Sequence, residues 1–452
     1  MPIIIPANSA AGGGGYQVTN SARFNPASND RLTRTPSSDG SRVKWTWSCW
    51  AKRGTDNQDL YLFGAYQNSS YNTFLKFASG GEIRFADVYG GSEQARINTL
   101  AKFRDPSAWY HIVVVYDKDN STSTDRLIMY VNGVRITEFD GSTMSSQSTT
   151  FNTANIQVQI GALNGDGDMN GYMSEICFVN NQALAPTSFG EFDEDSGIWK
   201  PIESVADLTF GTNGFYMDFK DSSELGNDAA GSNNYAEVNM TALNQTTDTC
   251  TNNFATLNPI DNGYGSITFT EGNLKGDGAS SGWQPARGTI GLSSGKWYWE
   301  VNMSGSGQIG VSNTILDMDN DNSQDLAGVT VFYNAGGGYI RTDGSQVGGT
   351  VGTGDMNTVF GYALDMDNKK LSLYKTNSII VTNTALSTSI TDFALPFFCV
   401  NGGGQYRVNF GNPSTALDNA GVADGNGYGS FEYAPPTGYL AICTKNLSET
   451  DS

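Results

Sequence analysis

Residues 295–301, Gly-Lys-Trp-Tyr-Trp-Glu-Val, constrain this chain more than any other stretch. Trp297, Trp299 and Val301 share one parity and Tyr298 and Glu300 the other, so an extended backbone buries a heavy aromatic face and turns a mixed one away from it. Two tryptophans on one face of a strand need a second sheet opposite to receive them, which predicts a β-sandwich with this strand at its centre. A second series stands earlier. Val43, Trp45, Trp47 and Cys49 alternate with Lys44, Thr46 and Ser48, and Trp109, His111, Val113 and Val115 alternate with Tyr110, Ile112 and Val114. A chain of 452 residues is too long for one sandwich core and suits two. With 54 glycines, 12% aromatic residues and few 3.6-period apolar patterns, the predicted class is all-β: two jelly-roll-like sandwiches joined by an irregular connector.

Turn chemistry sharpens the first series. The apolar runs 127–131 and 134–136 flank Asn132-Gly133, a pair suited to the positive φ angles of a type I′ turn, so a hairpin is expected there. Runs 156–161 and 171–179 read as two more strands around a loop at 164–168. Residues 201–262 lack sustained alternation, apart from a short run at 215–219, and read as the connector. The expected domains are thus 16–200 and 263–445, followed by a polar tail at 446–452. Residues 1–15 read as an arm: Ile3, Ile4 and Ile5 sit between Pro2 and Pro6, and the glycines at 12–15 form a tether.

A net charge of −20 repels nucleic-acid phosphate and anionic lipid, so neither is an expected partner. No basic n-region precedes the three isoleucines, and they are too few for a signal core or a membrane span. Synthesis in a cytoplasm, without a signal peptide or membrane insertion, is the expectation. Cys49, Cys177, Cys250, Cys399 and Cys443 are an odd set in mostly apolar surroundings, which suggests buried thiols rather than a disulfide framework.

Residues 295–301 look like the signature strand of SPRY domains. Ile309-Gly310-Val311-Ser312, the run 361–374, and 396–400 with 408–411 follow in that family's order, so the resemblance covers roughly 264–431. The earlier series resembles the concanavalin A-like, laminin-G-like lectin and glucanase superfamily. It does so through 48–53, Trp109-Tyr110-His111-Ile112 with Tyr116-Asp117, Tyr130-Val131-Asn132-Gly133, and Gly171-Tyr172 leading to Ala183-Leu184. The two modules behind an apolar arm resemble structural proteins of marine bacteriophages, usually assigned to fibres, spikes or adhesins. That resemblance implies a non-enzymatic virion component whose arm docks through Ile3, Ile4 and Ile5 onto other virion proteins. Its lectin-like domains would face a host-surface glycan or protein. It also implies a homo-oligomer, with a trimer favoured from fibres. A capsid decoration or head-fibre protein is the alternative, and a glucanase-like enzyme a third reading.

Few residues offer chemistry. Glucanases of the resembled superfamily carry paired acids on alternate positions of a strand. The comparable run here, 191–195, is flanked by Ser and Gly and reads as a solvated loop. His111 shares the parity of Trp109 and Val113 and reads as a packed histidine without an acidic partner. Asp317, Asp319, Asp321 and Asp325 begin like a calcium loop, but Asn322 stands in place of its glycine and Gly328 in place of its glutamate. No cofactor is required by this reading, and Ca2+ is the one ion for which the chain offers a candidate site; 164–168 is a weaker loop of the same kind. Tyr66, Asn68, Tyr71, Tyr89 and Tyr339 are the aromatic and amide residues considered for a glycan platform.

Overall fold

A computed structural model of the chain describes residues 15–143, 148–165, 169–263, 266–279, 281–320, 325–419 and 421–450. They fall into two compact units that meet in sequence between Thr251 and Asn252. The arm residues Ile3, Ile4 and Ile5, and Asp321 of the acidic loop, lie outside the described residues.

In the first unit one sheet runs Val134–Arg135, Leu127–Val131, Tyr110–Asp117, Lys44–Arg53, Gly171–Asn180, Ser21–Phe24 and Gln245–Thr246. The facing sheet runs Phe139–Thr143, Ser92–Thr99, Ile83–Tyr89, Tyr71–Phe77, Leu60–Asn68, Val158–Ile160, Arg31–Arg34 and Ala236–Val238. Trp45, Trp47, Cys49, Ile112, Val114 and Tyr116 enter the core between the sheets, against Leu60, Phe63, Leu75, Phe77 and Phe85. Each such side chain contributes about 1.5–3 kcal/mol by leaving water. The hairpin forms as its turn residues require: Asn132 and Gly133 adopt φ of 49° and 76°, and a Cβ on Gly133 would run into the Trp199 ring.

The expected connector is corrected by this unit. Tyr110–Asp117 and Gly171–Asn180 are apolar on both parities, so their outer face also needs cover. Residues 189–217 supply it, with Phe189, Val205, Phe210 and Tyr216 packing on Val113, Val115, Cys177 and Val179. Phe215–Met217 pairs with Gly171–Asn180, Ala236–Val238 with Arg31–Arg34, and Gln245–Thr246 with Ser21–Phe24. Residues 201–251 therefore complete the first sandwich. Residues 252–262 belong to the second unit, where Leu257–Asn262 pairs with Trp283–Gly288.

In the second unit one sheet runs Leu257–Asn262, Trp283–Gly288, Leu395–Asn401, Gly307–Ser312, Val329–Tyr333, Tyr339–Thr342 and Ser345–Val347. The other runs Ile267–Thr270, Lys275–Gly278, Gln405–Asn409, Lys296–Ser304, Phe360–Asp365, Lys370–Lys375 and Ser378–Ala385. Lys296–Ser304 is central, with Trp297, Trp299, Val301 and Met303 in the core. Its other face is also covered: Tyr298 packs with Phe254, Phe431, Ala441 and Cys443, and Leu440–Ala441 pairs with it in parallel. The expected polar tail is instead a short helix, Thr444–Thr450, whose Asn446 and Leu447 are buried. All five cysteines are free thiols, four of them buried.

Candidate functional site

The first unit's sheets are finished differently on their outer sides. The Lys44–Arg53 sheet is sealed. Among its sealed polar groups, His111 lies with its Nε2 2.9 Å from Ser48 Oγ, and the Trp199 indole N–H donates to its Nδ1 at 2.9 Å. Because Nδ1 accepts from an indole, which can only donate, the ring proton sits on Nε2 and is given to Ser48. A histidine in that tautomer cannot take the serine's proton, and burial pushes its pKa down to about 3. The pair therefore resembles a nucleophilic dyad in composition only. Deeper still, Lys52 and Asp248 form a fully buried ion pair at 2.9 Å, and Trp109 Nε1 donates to the other carboxylate oxygen at 3.1 Å.

A bulge interrupts the same sheet between Ser174 and Cys177 and leaves Glu175 at φ 50°. Its carboxylate accepts from the Tyr216 hydroxyl at 2.6 Å, and Tyr16 joins the network. Burial raises the Glu175 pKa to about 7. Sequence reasoning passed over this residue, because only the register shift against Lys44–Arg53 turns it to the sealed side.

Among the described residues of this unit, no second layer of that kind covers the outer face of the opposite sheet. Tyr61, Tyr66 and Val88 lie there half-buried around Phe74, Ala86 and Leu163. Tyr61 and Phe74 meet edge to face at 5.6 Å, with Lys76 Nζ 5.2 and 5.4 Å from the two ring centroids. Beside them Glu93 bridges Arg84 and Arg96, the latter at 3.0 Å. Aromatic faces next to fixed charged donors and acceptors are the chemistry that holds a hydroxyl-rich ring.

The other residues considered for a platform are scattered. Tyr71 and Tyr89 meet edge to face at 5.1 Å, but on the core-side parity at the end of that sheet. Asn68 closes a turn by accepting from Ser70 N–H at 2.9 Å. Tyr339 belongs to the second unit and packs on Tyr333 at 5.3 Å.

The run 191–195 is solvated as expected, but it forms a hairpin turn rather than an irregular loop. Gly190–Phe192 pairs with Trp199–Pro201, and Asp193 organises the turn by accepting from Asp195 and Ser196 N–H and from Lys200. Its pKa is depressed, first by the Ser196 backbone bond and then by Lys200. The acidic loop is described only in part, since Asp321 lies outside the described residues. Asp325 is held by Arg341 at 2.7 Å, and exposed Asp317 accepts from the backbone of Asp319, itself exposed. Among the described residues no three His, Cys, Asp or Glu side chains gather as metal ligands.

The second unit holds a polar cleft of about 260 Å³ on the outer face of its Lys296–Ser304 sheet. Glu300 lies at its base. Its carboxylate accepts from Glu432 N–H and Tyr433 N–H, both at 2.8 Å, from Asn409 Nδ2 at 3.2 Å and from the Tyr298 hydroxyl at 3.3 Å. Burial raises its pKa to about 7, against the four donors. Arg407, also in the lining, is engaged by Glu271 through two bonds of 2.8 and 2.7 Å.

The chain is similar in part to several solved structures. Stonustoxin matches at 22% identity over 34% of this chain and 27% of its own, with a TM-score of 0.29. A heptameric SAP-like pentraxin from Limulus polyphemus matches at 19% identity over 37% of this chain and 78% of its own, with a TM-score of 0.28. The SPRY domain of human HERC1 matches at 14% identity over 34% of this chain and 96% of its own, with a TM-score of 0.27. The chain thus spans about a quarter of the stonustoxin chain. No curated protein matches the sequence. Residues 26–187 match the family model Laminin_G_3, of the Concanavalin A-like lectin/glucanases superfamily, and the match ends where the layer sealing the first sheet begins.

Proposed function

We propose that this protein is a non-enzymatic adhesin or fibre component of a virion, and that its first unit binds carbohydrate on a host surface. The observation that carries the reading is the asymmetry of the first unit. Residues 189–217 seal one sheet, while the other leaves Tyr61, Tyr66, Arg84 and Arg96 unroofed. The superfamily matched by 26–187 has lectins in its description, which supports a saccharide as ligand. The same description has glucanases. Against that reading, the Asp193 carboxylate is committed to a turn and His111 is fixed in the wrong tautomer for a base.

The virion part rests on the order of the two modules behind the arm with Ile3, Ile4 and Ile5. In this reading the arm docks on other virion proteins, and several copies, a trimer by analogy with fibres, lend avidity to a shallow sugar site. Two measurements test it. On a glycan array the whole protein is expected to bind, with Tyr66→Ala weakening the signal at least tenfold while the melting temperature holds. Equal binding by the variant removes the open face as the site. Quantitative mass spectrometry of purified particles is expected to find tail or fibre copy numbers. Capsid copy numbers would favour a decoration protein, and absence from particles would overturn the virion assignment.

A further inference from the structure

We propose that the second unit carries its own saccharide site, for a small neutral sugar, in the polar cleft beside Glu300. This goes beyond the reading above, which places binding on the first unit alone. The carboxylates that shape the cleft are largely spent inside the fold: Glu300 accepts four hydrogen bonds, and Glu432 accepts from Asp418 N–H at 2.7 Å and Asn419 Nδ2 at 2.6 Å. What remains for a ligand are the side-chain amides of Asn302 and Asn357, the Asp418 carboxylate and the Tyr433 hydroxyl. All four line the cleft, and none has a side-chain hydrogen bond among the described residues.

That set offers donors and acceptors side by side, the pattern vicinal hydroxyl groups satisfy. The volume suits about one pyranose ring, below the range of drug-sized pockets. Charge selects further. Asp418 and Glu432 line the cleft, and Glu271 neutralises Arg407, so an anionic sugar or phosphate meets a repulsive field. A cationic ligand is drawn by the same field but meets a single uncommitted carboxylate, Asp418, beside two amides, too few partners to replace the water its charge gives up.

The test is ligand-observed NMR on the full chain. The probes are the methyl glycosides of glucose, galactose, mannose and N-acetylglucosamine, with N-acetylneuraminic acid, glucose 6-phosphate and arginine methyl ester alongside. At least one neutral glycoside is expected to bind saturably in the millimolar range. Asn302→Ala and Asp418→Ala should each weaken it tenfold or more without moving the melting temperature, since neither side chain holds the fold together. Every protein compared, the reference included, also carries Tyr66→Ala, so sugar held by the first unit's open face does not enter the reading and failure here is separate from failure of that site. Absence of saturable neutral-sugar binding, full binding by the Asn302→Ala, Asp418→Ala double variant, or preference for an anionic or cationic probe overturns the proposal.

Discussion

Replacing Asp248 by alanine tests whether the segment beyond residue 200 is part of the first sandwich. Asp248 lies in a stretch without strand alternation, yet its side chain is wholly buried, 2.9 Å from Lys52 Nζ and 3.1 Å from Trp109 Nε1. Truncation removes the carboxylate paired with a lysine ammonium that is 1% exposed, and breaking a buried pair from one side costs about 3–5 kcal/mol. The orphaned indole N–H adds about 1–3 kcal/mol, but groups in contact do not sum, so about 4 kcal/mol is the expected loss. For a unit of this size each kcal/mol lowers the melting temperature by about 2–4 °C, giving a fall of roughly 8–16 °C. Differential scanning calorimetry of the full chain reads it directly, and added salt should not rescue it because the pair is shielded from solvent. The double variant Lys52→Met, Asp248→Leu should recover part of the loss, since it leaves no buried charge behind. A fall below about 3 °C for Asp248→Ala, on the same scale, would refute the reasoning and return 201–251 to the role of a linker.

Truncation gives a second check: a fragment of residues 13–251 should melt cooperatively, whereas one of residues 13–200 should not, because it lacks Phe210, Tyr216 and Asp248; two equally stable fragments would contradict the sealed sheet. The third check is pH. His111 takes a proton near 6.5 when unfolded but only near 3 when folded, so the stability it lends is complete above 6.5 and drains away as pH falls toward 3, by about 1.4 kcal/mol per unit. Glu175 acts in the opposite sense between 4.5 and about 7, where the folded state holds a proton that the unfolded chain has released. His111→Gln should therefore flatten the loss below pH 4.5, and a melting profile of unchanged slope there would remove His111 from the account.

Local pattern was enough for the elements whose environment is written in their own residues. Trp297 and Trp299 on one parity required a central strand with a sheet opposite, and Lys296–Ser304 is that strand. Asn132-Gly133 named its turn through the φ angles those residues tolerate. Trp45 and Trp47 likewise announced the first core. Alternation, however, reports one buried face and is silent when both are buried. Val113 and Val115 share a strand with Ile112 and Val114, and only the folded chain reveals that residues 189–217 cover the first pair.

The site residues show the same division. Tyr66 was visible as an aromatic, but its place beside Phe74 follows from the register of two strands. Asp325 has the spacing of a metal ligand, and that spacing gives no sign of the ion pair it makes with Arg341 from the strand Tyr339–Thr342. Glu300 stood within the most legible segment of the chain, yet its partners Asn409, Glu432 and Tyr433 arrive from more than a hundred residues away. Sequence therefore determined which strands exist and which faces need burial, because period and turn chemistry are local. Tertiary structure alone decided which polar groups are spent on the fold and which are left for a ligand, because that depends on partners that the chain's order does not place side by side.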